Sequence, residues 1–147
     1  MLWDPIRKIE VTDTAEERVR QAVVNYLVNQ LKVPARLIAV ELSLAHFSTN
    51  KRLRVDVVVF QPAAHDLIQT DQNQVITSTG GLRAWLLVEC KAPHVPVDES
   101  VARQMERYQV ILPSQFVLVT NGSENIHLER VKQQWIWREG LPIFSFA

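Results

Sequence analysis

The sequence reads Trp85-Leu86-Leu87-Val88-Glu89-Cys90-Lys91 near the middle of the chain, and this stretch decides the fold. Its first four residues are all apolar, which is typical of a central strand that is covered on both faces. Glu89 and Lys91 end the run, and because side chains two apart on a strand point the same way, both lie on one face. We therefore predict a buried strand over residues 85–90, with a carboxylate and an amine together at its C-terminal end.

The elements on either side of this strand complete an α/β pattern. Apolar periodicity, capping residues and prolines predict helices over residues 14–31 and 98–111, and strands over residues 36–44, 53–60, 116–120 and 135–137. The polar stretch over residues 63–81 is interpreted as a loop. The order helix, three strands, helix, strand allows an antiparallel meander and then a crossover to a parallel neighbour. We expect one α/β domain over residues 1–147, with a mixed central sheet flanked by helices on both faces.

Composition excludes several classes of protein. Lys and Arg number 16 and Asp and Glu number 16, so the formal net charge is zero, which counts against tight nucleic-acid binding by this chain alone. The single cysteine, Cys90, excludes an intramolecular disulfide framework and a cysteine-rich zinc site, and it fits a reducing cytoplasm. The first ten residues carry no long apolar run, so we expect neither a signal peptide nor a membrane span.

Asp56 interrupts one predicted strand, as Glu89 interrupts the next. Ionised groups are rarely buried in a sheet unless they are paired or bind a metal. Mg²⁺ takes oxygen ligands at about 2.0–2.1 Å, often from one or two carboxylates, and the backbone carbonyl of Cys90 could add an oxygen. Lys91 could orient or deprotonate a water, or stabilise charge on a phosphate. The pattern indicates a hydrolytic phosphodiesterase site, with a structural Glu–Lys pair and an unrelated Asp as the alternative.

Both predicted helices carry polar side chains that bear on this site. Gln104 and Tyr108 are four residues apart and share one helix face. Glu16 lies on the apolar stripe of the first helix with Val19, whereas Glu17 is turned by about 100° and points away. A carboxylate on such a stripe needs a cation or a hydrogen-bond donor. The alternatives are a Glu16 that complements the helix dipole, and a solvated Gln104 beside an aromatic at the core edge.

Five blocks of sequence in a fixed order resemble those of a known family. They are Glu16-Glu17-Arg18-Val19-Arg20-Gln21, Arg54-Val55-Asp56-Val57-Val58-Val59-Phe60, Leu87-Val88-Glu89-Cys90-Lys91-Ala92-Pro93, Gln104-x-x-x-Tyr108 and Val117-Leu118-Val119-Thr120-Asn121-Gly122. Together they resemble the N-terminal nuclease domain of type I restriction enzyme R subunits, which belongs to the PD-(D/E)xK nuclease superfamily. The resemblance implies a restriction-endonuclease-like fold, with a mixed sheet on an αβββαβ core.

The resemblance also implies a chemistry. Asp56 and Glu89 would be metal ligands and Lys91 the catalytic lysine of a Mg²⁺-dependent DNA endonuclease, with Mn²⁺ as the alternative cation. Val55 stands where the family often has Pro. We expect DNA as a partner. The sequence has no GxxxxGK[ST] phosphate loop, so any motor would be another polypeptide or would be absent. Motor or specificity subunits, and a homodimer, stay open as partners. The alternative function is a catalytically silent nucleic-acid-binding or assembly module with the same fold.

The resemblance also implies roles for the polar residues of the two predicted helices. Glu16 would be the auxiliary acidic residue of the first helix, although its choice over Glu17 rests on helical phase alone. Gln104 and Tyr108 match the QxxxY motif, which in the family helps to position the DNA backbone or the catalytic groups. These residues would complete a catalytic set with the three residues of the strands.

Basic residues near the predicted site are candidates for DNA contact. Lys51, Arg52 and Arg54 precede Asp56, and Arg54 alternates with it, so that both would lie on one face. Arg103 on the second helix could extend this patch. Since Lys and Arg neutralise phosphates, we expect these four residues to bind the DNA backbone. A solvated charged edge is the alternative.

Overall fold

The computed structural model describes residues 1–47, 53–62 and 82–144. Within them the chain forms, in order, β1 (Leu2–Asp4), β2 (Ile9–Val11), α1 (Ala15–Asn29), β3 (Ile38–Ser43), β4 (Arg54–Pro62), β5 (Leu82–Cys90), α2 (Glu99–Ile111), β6 (Ser114–Thr120), β7 (Asn125–Val131) and β8 (Gln134–Arg138). Short 3₁₀ turns, Ala35–Leu37 and Leu44–His46, stand before and after β3. The loop predicted over residues 63–81 lies outside the described residues.

Six strands form one mixed sheet in the order β3-β4-β5-β6-β7-β8. Strands β5 and β6 are parallel, and α2 makes the crossover between them, whereas the other neighbours in this sheet are antiparallel. The predicted order of helix, three strands, helix and strand, and the mixed α/β sheet, are therefore confirmed. Strands β1 and β2 form a separate hairpin that the sequence analysis did not predict.

Both helices begin at capping side chains. Thr14 precedes α1, and its hydroxyl accepts a hydrogen bond from the N–H of Glu17 at 3.0 Å. Asp98 precedes α2, and its carboxylate accepts hydrogen bonds from two N–H groups of the first turn. These bonds satisfy donors that have no partner inside a helix, so the helices start close to where the sequence predicts. Neither α1 nor α2 has the length and apolar content that a bilayer-spanning helix needs.

Two buried clusters form the core, and β5 contributes to both. Leu86 and Val88 belong to the first cluster, in which they pack with α1 residues such as Leu27. Leu87 belongs to the second, in which it packs with Met105 of α2. Side chains of β5 are therefore buried on both alternating sets, which confirms the predicted central strand. Each such aliphatic side chain stabilises the fold by about 1.5–3 kcal/mol when it is fully buried.

The edge of the sheet is a hairpin of β7 and β8. The strand predicted over residues 135–137 is confirmed as part of β8, but β7 was not predicted. The turn residues Lys132 and Gln133 both have positive φ, 50° and 67°, as a two-residue type I′ turn requires. Such turns usually carry Asn-Gly, so a Lys-Gln pair gave no signal in the sequence.

Candidate active site

Three carboxylates from adjacent strands meet at one end of the sheet. In β4 and β5, Val57 pairs with Val88, and this register continued by one residue places Asp56 opposite Glu89. In β3 and β4, Val40 pairs with Val57 and Leu42 pairs with Val55, so Glu41 lies opposite Asp56 between these two pairs. Glu41 has a φ of 55°, which is rare for a glutamate and persists only where neighbouring contacts hold it.

Asp56 is buried and accepts a hydrogen bond on each carboxylate oxygen. The guanidinium of Arg20 in α1 donates to Oδ1 at 2.6 Å, and the backbone N–H of Cys90 donates to Oδ2 at 2.8 Å. Burial alone would raise the pKa of Asp56, but hydrogen bonds from Glu89, Arg20 and Cys90 outweigh it and lower the pKa. Asp56 is therefore a carboxylate at neutral pH, held in one orientation from two sides.

Glu89 lies beside Asp56 and is in the opposite protonation state. Burial, followed by the hydrogen bond and charge of Asp56, raises the pKa of Glu89 to about 9. The hydroxyl of Tyr108 in α2 donates to Oε2 of Glu89 at 3.3 Å, and the positive charge of Lys91 also acts to lower this pKa. At neutral pH, Glu89 carries a proton that it shares with Asp56, which is how two buried carboxyl groups in contact avoid repulsion.

Lys91 and Cys90 border this pair at the end of β5. The half-buried Lys91 follows the strand directly, and its backbone N–H donates to the carbonyl of Thr120 at 2.8 Å. The side chain of Cys90 is packed in the apolar cluster with Val88, and burial raises the pKa of its thiol. Cys90 therefore meets the site through its backbone rather than through sulfur.

The structure brings Tyr108 to the carboxylates but leaves Gln104 at the surface. Tyr108 is half-buried against Glu89, and burial and then the charge of Glu89 raise the pKa of its hydroxyl, so this group stays a donor. Gln104, one turn earlier in α2, is exposed. It forms no hydrogen bond among the residues that the structure describes, so any role must be toward a bound molecule.

The predicted phase of α1 is wrong by one residue. Glu17 is buried, whereas the side chain of Glu16 is 48% exposed. Glu17 accepts bonds from Arg7 at 3.1 Å, Arg20 at 2.7 Å and Gln21 at 3.2 Å. The prediction set the phase of the buried face from its apolar residues, but in the first turns of α1 the buried residues are mostly polar side chains that pair with one another. Glu16 still lies near the site, at 3.7 Å from the guanidinium of Arg20.

Sequence analysis missed Arg20 and Glu41, which complete this cluster. Arg20 is buried and forms ion pairs with Glu17, Glu41 and Asp56. Burial and then the neighbouring Asp56 raise the pKa of Glu41, against the effect of Arg20. Glu41 interrupts an apolar strand just as Asp56 does, and the same signal could have found it. Arg20 gave no such signal, because its burial depends on carboxylates that come from β3 and β4.

The candidate DNA-contacting residues divide into two groups. Arg54 at the start of β4 and Arg103 in α2 are exposed, and Arg103 lies 3.8 Å from Glu99. Lys51 and Arg52 lie outside the described residues. Exposure leaves both described arginines accessible to a phosphate backbone, and DNA binding by any of the four stays a prediction.

Two acidic side chains, rather than three, are available to one metal ion. In the described ranges, no group of three His, Cys, Asp or Glu side chains is arranged to hold a metal. Glu41 and Glu17 are near Asp56, but the Arg20 guanidinium lies between them and the aspartate. A metal at the Asp56–Glu89 pair would therefore need backbone, water or substrate oxygens as its other ligands.

Comparison with known families identifies the family of this chain. Residues 15–139 match the family described as type I restriction enzyme R protein N terminus (HSDR_N). The match covers most of the chain and includes every described residue of the candidate site, so the chain belongs to this family. Comparisons with curated proteins and with solved structures found no match.

Proposed function

We propose that this chain is a metal-dependent DNA endonuclease domain of the PD-(D/E)xK type, which acts within a restriction system. Residues 1–147 would form one domain with a restriction-endonuclease-like core and a helix on each face of the sheet. The observation that carries the proposal is the contact between two buried carboxyl groups, Asp56 and Glu89, at the end of β5 beside Lys91. Buried carboxyl pairs of this kind are concentrated at functional sites.

The donor atoms of this pair fit Mg²⁺. One oxygen of Asp56 accepts a hydrogen bond from Arg20 and the other from the N–H of Cys90, and Asp56 also accepts the bond from Glu89 that a cation would replace. Glu89 holds a proton that a divalent cation would replace, since the cation removes the repulsion that keeps the proton bound. Mg²⁺ is usually bound by one or two carboxylates, with waters and substrate phosphate at the other positions. Asp56, Glu89 and the Cys90 carbonyl would hold the ion, and Mn²⁺ would fit the same donors.

The remaining residues divide the work of phosphodiester hydrolysis. Bound Mg²⁺ would supply positive charge at the phosphate and would make an attacking water more acidic. The ammonium of Lys91 would stabilise the negative charge that develops on the phosphate, because it borders the carboxylates from the same strand end. Tyr108 would hold Glu89 in place through its hydroxyl. The exposed Arg54 and Arg103 would bind the DNA backbone.

Family membership supports DNA as the substrate, with motor and specificity subunits as partners. The zero net charge of the chain supports a division of labour in which partners deliver the DNA. A catalytically silent assembly module is the alternative, and the pairing of Arg20 with Asp56 is the observation in its favour, because it engages a predicted metal ligand.

Nicking of supercoiled plasmid with Mg²⁺ or Mn²⁺ tests the proposal. Asp56→Asn and Lys91→Ala are each expected to lower cleavage by about 100-fold or more, as loss of electrostatic catalytic groups does. Lys132→Ala, at an exposed lysine in the β7–β8 turn, is the matched control and should cleave like the wild type. The silent-module alternative wins if wild-type protein shows no metal-dependent cleavage above these variants on duplex, single-stranded and branched DNA.

A further inference from the structure

The guanidinium of Arg20 lies where several carboxylates converge. Its Nη2 atom is 2.6 Å from Oδ1 of Asp56, 2.7 Å from Oε1 of Glu41 and 3.7 Å from Oε1 of Glu16. Its Nη1 atom is 2.7 Å from Oε1 of Glu17. Only 9% of the Arg20 side chain is exposed. A single nitrogen therefore faces three acidic side chains that come from α1, β3 and β4.

We propose that Arg20 is a positioning residue that acts as a built-in cation on the α1 side of Asp56, so that a divalent ion is held only on the Glu89 side. The proposal rests on the metal site proposed above and adds the number of ions that the site holds. Arg20 would fix the aspartate through Oδ1 and would keep a second ion away from Glu41 and Asp56.

The distances around Arg20 support a role in place of a second metal ion. Mg²⁺ binds oxygen at about 2.0–2.1 Å, and Nη2 already lies at 2.6 and 2.7 Å from oxygens of Asp56 and Glu41. Shifts of about half an ångström in these side chains would therefore convert the nitrogen position into a position with ligand distances for a divalent ion. Without Arg20, the buried Asp56 and the partly buried Glu41 would lie close together without a compensating charge, which is costly.

A guanidinium suits this role better than a free ion does. It is always charged in proteins, and here the ion pairs with Asp56 and Glu17 raise its pKa further against the effect of burial. It is covalently attached and cannot diffuse away, so a divalent ion from solution does not take its place. Its planar fork also fixes the orientation of the carboxylate that it binds, while the N–H of Cys90 fixes the other oxygen.

The position of Arg20 is braced from the N-terminal hairpin. Arg7 donates to Glu17 at 3.1 Å and to Asp4 at 2.5 Å, and Asp4 is fully buried. The ion pairs thus run from Asp4 through Arg7, Glu17 and Arg20 to Asp56. Asp4 and Asp56, the two ends of this series of ion pairs, are both buried. Arg20 is therefore a fixed cation rather than a mobile gate.

The test counts bound Mn²⁺ by electron paramagnetic resonance and calorimetry in the wild type and four variants. Arg20→Met should bind one ion more than the wild type, at the position vacated by the guanidinium. Arg20→Lys keeps the charge and should bind the same number as the wild type. Arg18→Met, which removes an exposed arginine paired with Asp13 in the same helix, is the matched control and should also leave the number unchanged.

Cleavage should fall in Arg20→Met even though it binds more metal. The extra ion would draw Asp56 away from its working position, and misplacement of a catalytic group by about 1 Å costs about 100-fold in rate. Arg20→Met/Glu41→Gln removes one ligand of the extra ion and should return the number of ions to the wild-type value. A merely structural arginine would lower stability without changing the number of ions.

The number of ions bound by Arg20→Met, and its folding, decide whether Arg20 occupies the position of a second ion. Equal numbers of ions in Arg20→Met and the wild type overturn it, and so does an Arg20→Met protein that fails to fold at any Mn²⁺ concentration, because the ion then cannot replace the guanidinium. If Arg20→Met folds only with Mn²⁺, greater thermal stabilisation by Mn²⁺ than in the wild type supports it. Wild type that binds no ion defeats the proposed nuclease function, yet one additional ion in Arg20→Met would still support the role of Arg20.

Discussion

The carboxyl group of Glu89 donates a hydrogen bond to the carboxylate of Asp56 across β4 and β5. The proton stays on Glu89 because burial and the adjacent negative charge raise its pKa to about 9, whereas Asp56 keeps its negative charge. The folded protein therefore binds a proton at Glu89 over a pH range in which the unfolded chain has already released it. Folding stability and pH are linked through this one pair.

Glu89→Gln should flatten part of the pH dependence of stability. Between the ordinary pKa of a glutamate and about 9, the folded state of the wild type binds more protons than the unfolded state, so its stability falls as pH rises. The contribution of one group has a slope of at most about 1.4 kcal/mol per pH unit. Glutamine mimics the protonated acid and cannot ionise, so Glu89→Gln should be the more stable protein at alkaline pH.

Urea unfolding of both proteins without divalent ions, measured from acid to alkaline pH, checks this expectation. The difference between the two unfolding free energies isolates the Glu89–Asp56 pair, since distant titrating groups such as His127 contribute equally to both. Two parallel profiles would contradict the raised pKa of Glu89.

Glu17→Ala should destabilise the protein far more than Glu16→Ala. Glu17 is buried and accepts bonds from Arg7 and Arg20. Its removal breaks the buried ion pair with Nη1 of Arg20 and should cost about 3 kcal/mol, while Nη2 of Arg20 keeps Asp56 and Glu41 as partners. Glu16 is about half exposed, and its loss should change stability by less than about 0.5 kcal/mol. Chemical denaturation of the two variants measures this difference. Equal losses of stability in the two variants would contradict the burial of Glu17 in place of Glu16.

Local rules identified several residues of the candidate site, and the family resemblance gave them roles. Alternation along two apolar strands identified Asp56 and Glu89, and the spacing of Gln104 and Tyr108 placed a polar face on α2. The structure then brought Asp56, Glu89 and Tyr108 into contact. Each of these inferences depends only on how a strand or a helix repeats, which short sequence windows contain.

The missed features depend on contacts between distant parts of the chain. Arg20 is buried because carboxylates from β3 and β4 lie opposite α1, and no periodicity within the helix encodes that. The same pairing turns Glu17 inward in place of Glu16. Glu41 lies opposite Asp56 because of the pairing between β3 and β4, and Glu41 itself has a positive φ. Apolar periodicity cannot predict buried side chains that are charged and neutralise each other inside the fold.

Gln133→Gly should stabilise the β7–β8 hairpin. Gln133 has a φ of 67°, and a residue with a Cβ atom pays about 1–2 kcal/mol in the left-handed region, which glycine avoids. We expect the variant to gain about 1 kcal/mol in the free energy of unfolding. Gln134→Gly, one residue further in β8, is the control and should lose stability, because glycine weakens a strand interior. A loss in both variants would contradict the type I′ turn.

Tyr108→Phe should weaken the use of metal with little loss of stability. The hydroxyl donates to Glu89 at 3.3 Å, a long bond whose removal should cost at most about 1 kcal/mol. Without this donor the carboxylate form of Glu89 loses stabilisation, so the pKa of Glu89 should rise and a divalent ion should replace its proton less readily. Mg²⁺ titrations of plasmid cleavage should therefore show a higher half-saturating concentration, by about tenfold if the bond contributes about 1.4 kcal/mol to the ionised state.

Gln104→Ala separates this effect from contact with DNA. Gln104 is exposed and forms no bond to Glu89, so its loss should leave the Mg²⁺ requirement unchanged and should raise the KM for DNA if it contacts the backbone. The two residues of the QxxxY motif would then act on different reactants, one on the metal ligand and one on the substrate. A Tyr108→Phe variant with the wild-type Mg²⁺ requirement would show that the Tyr108–Glu89 bond does not assist metal binding, and it would shift the role of Tyr108 to the DNA.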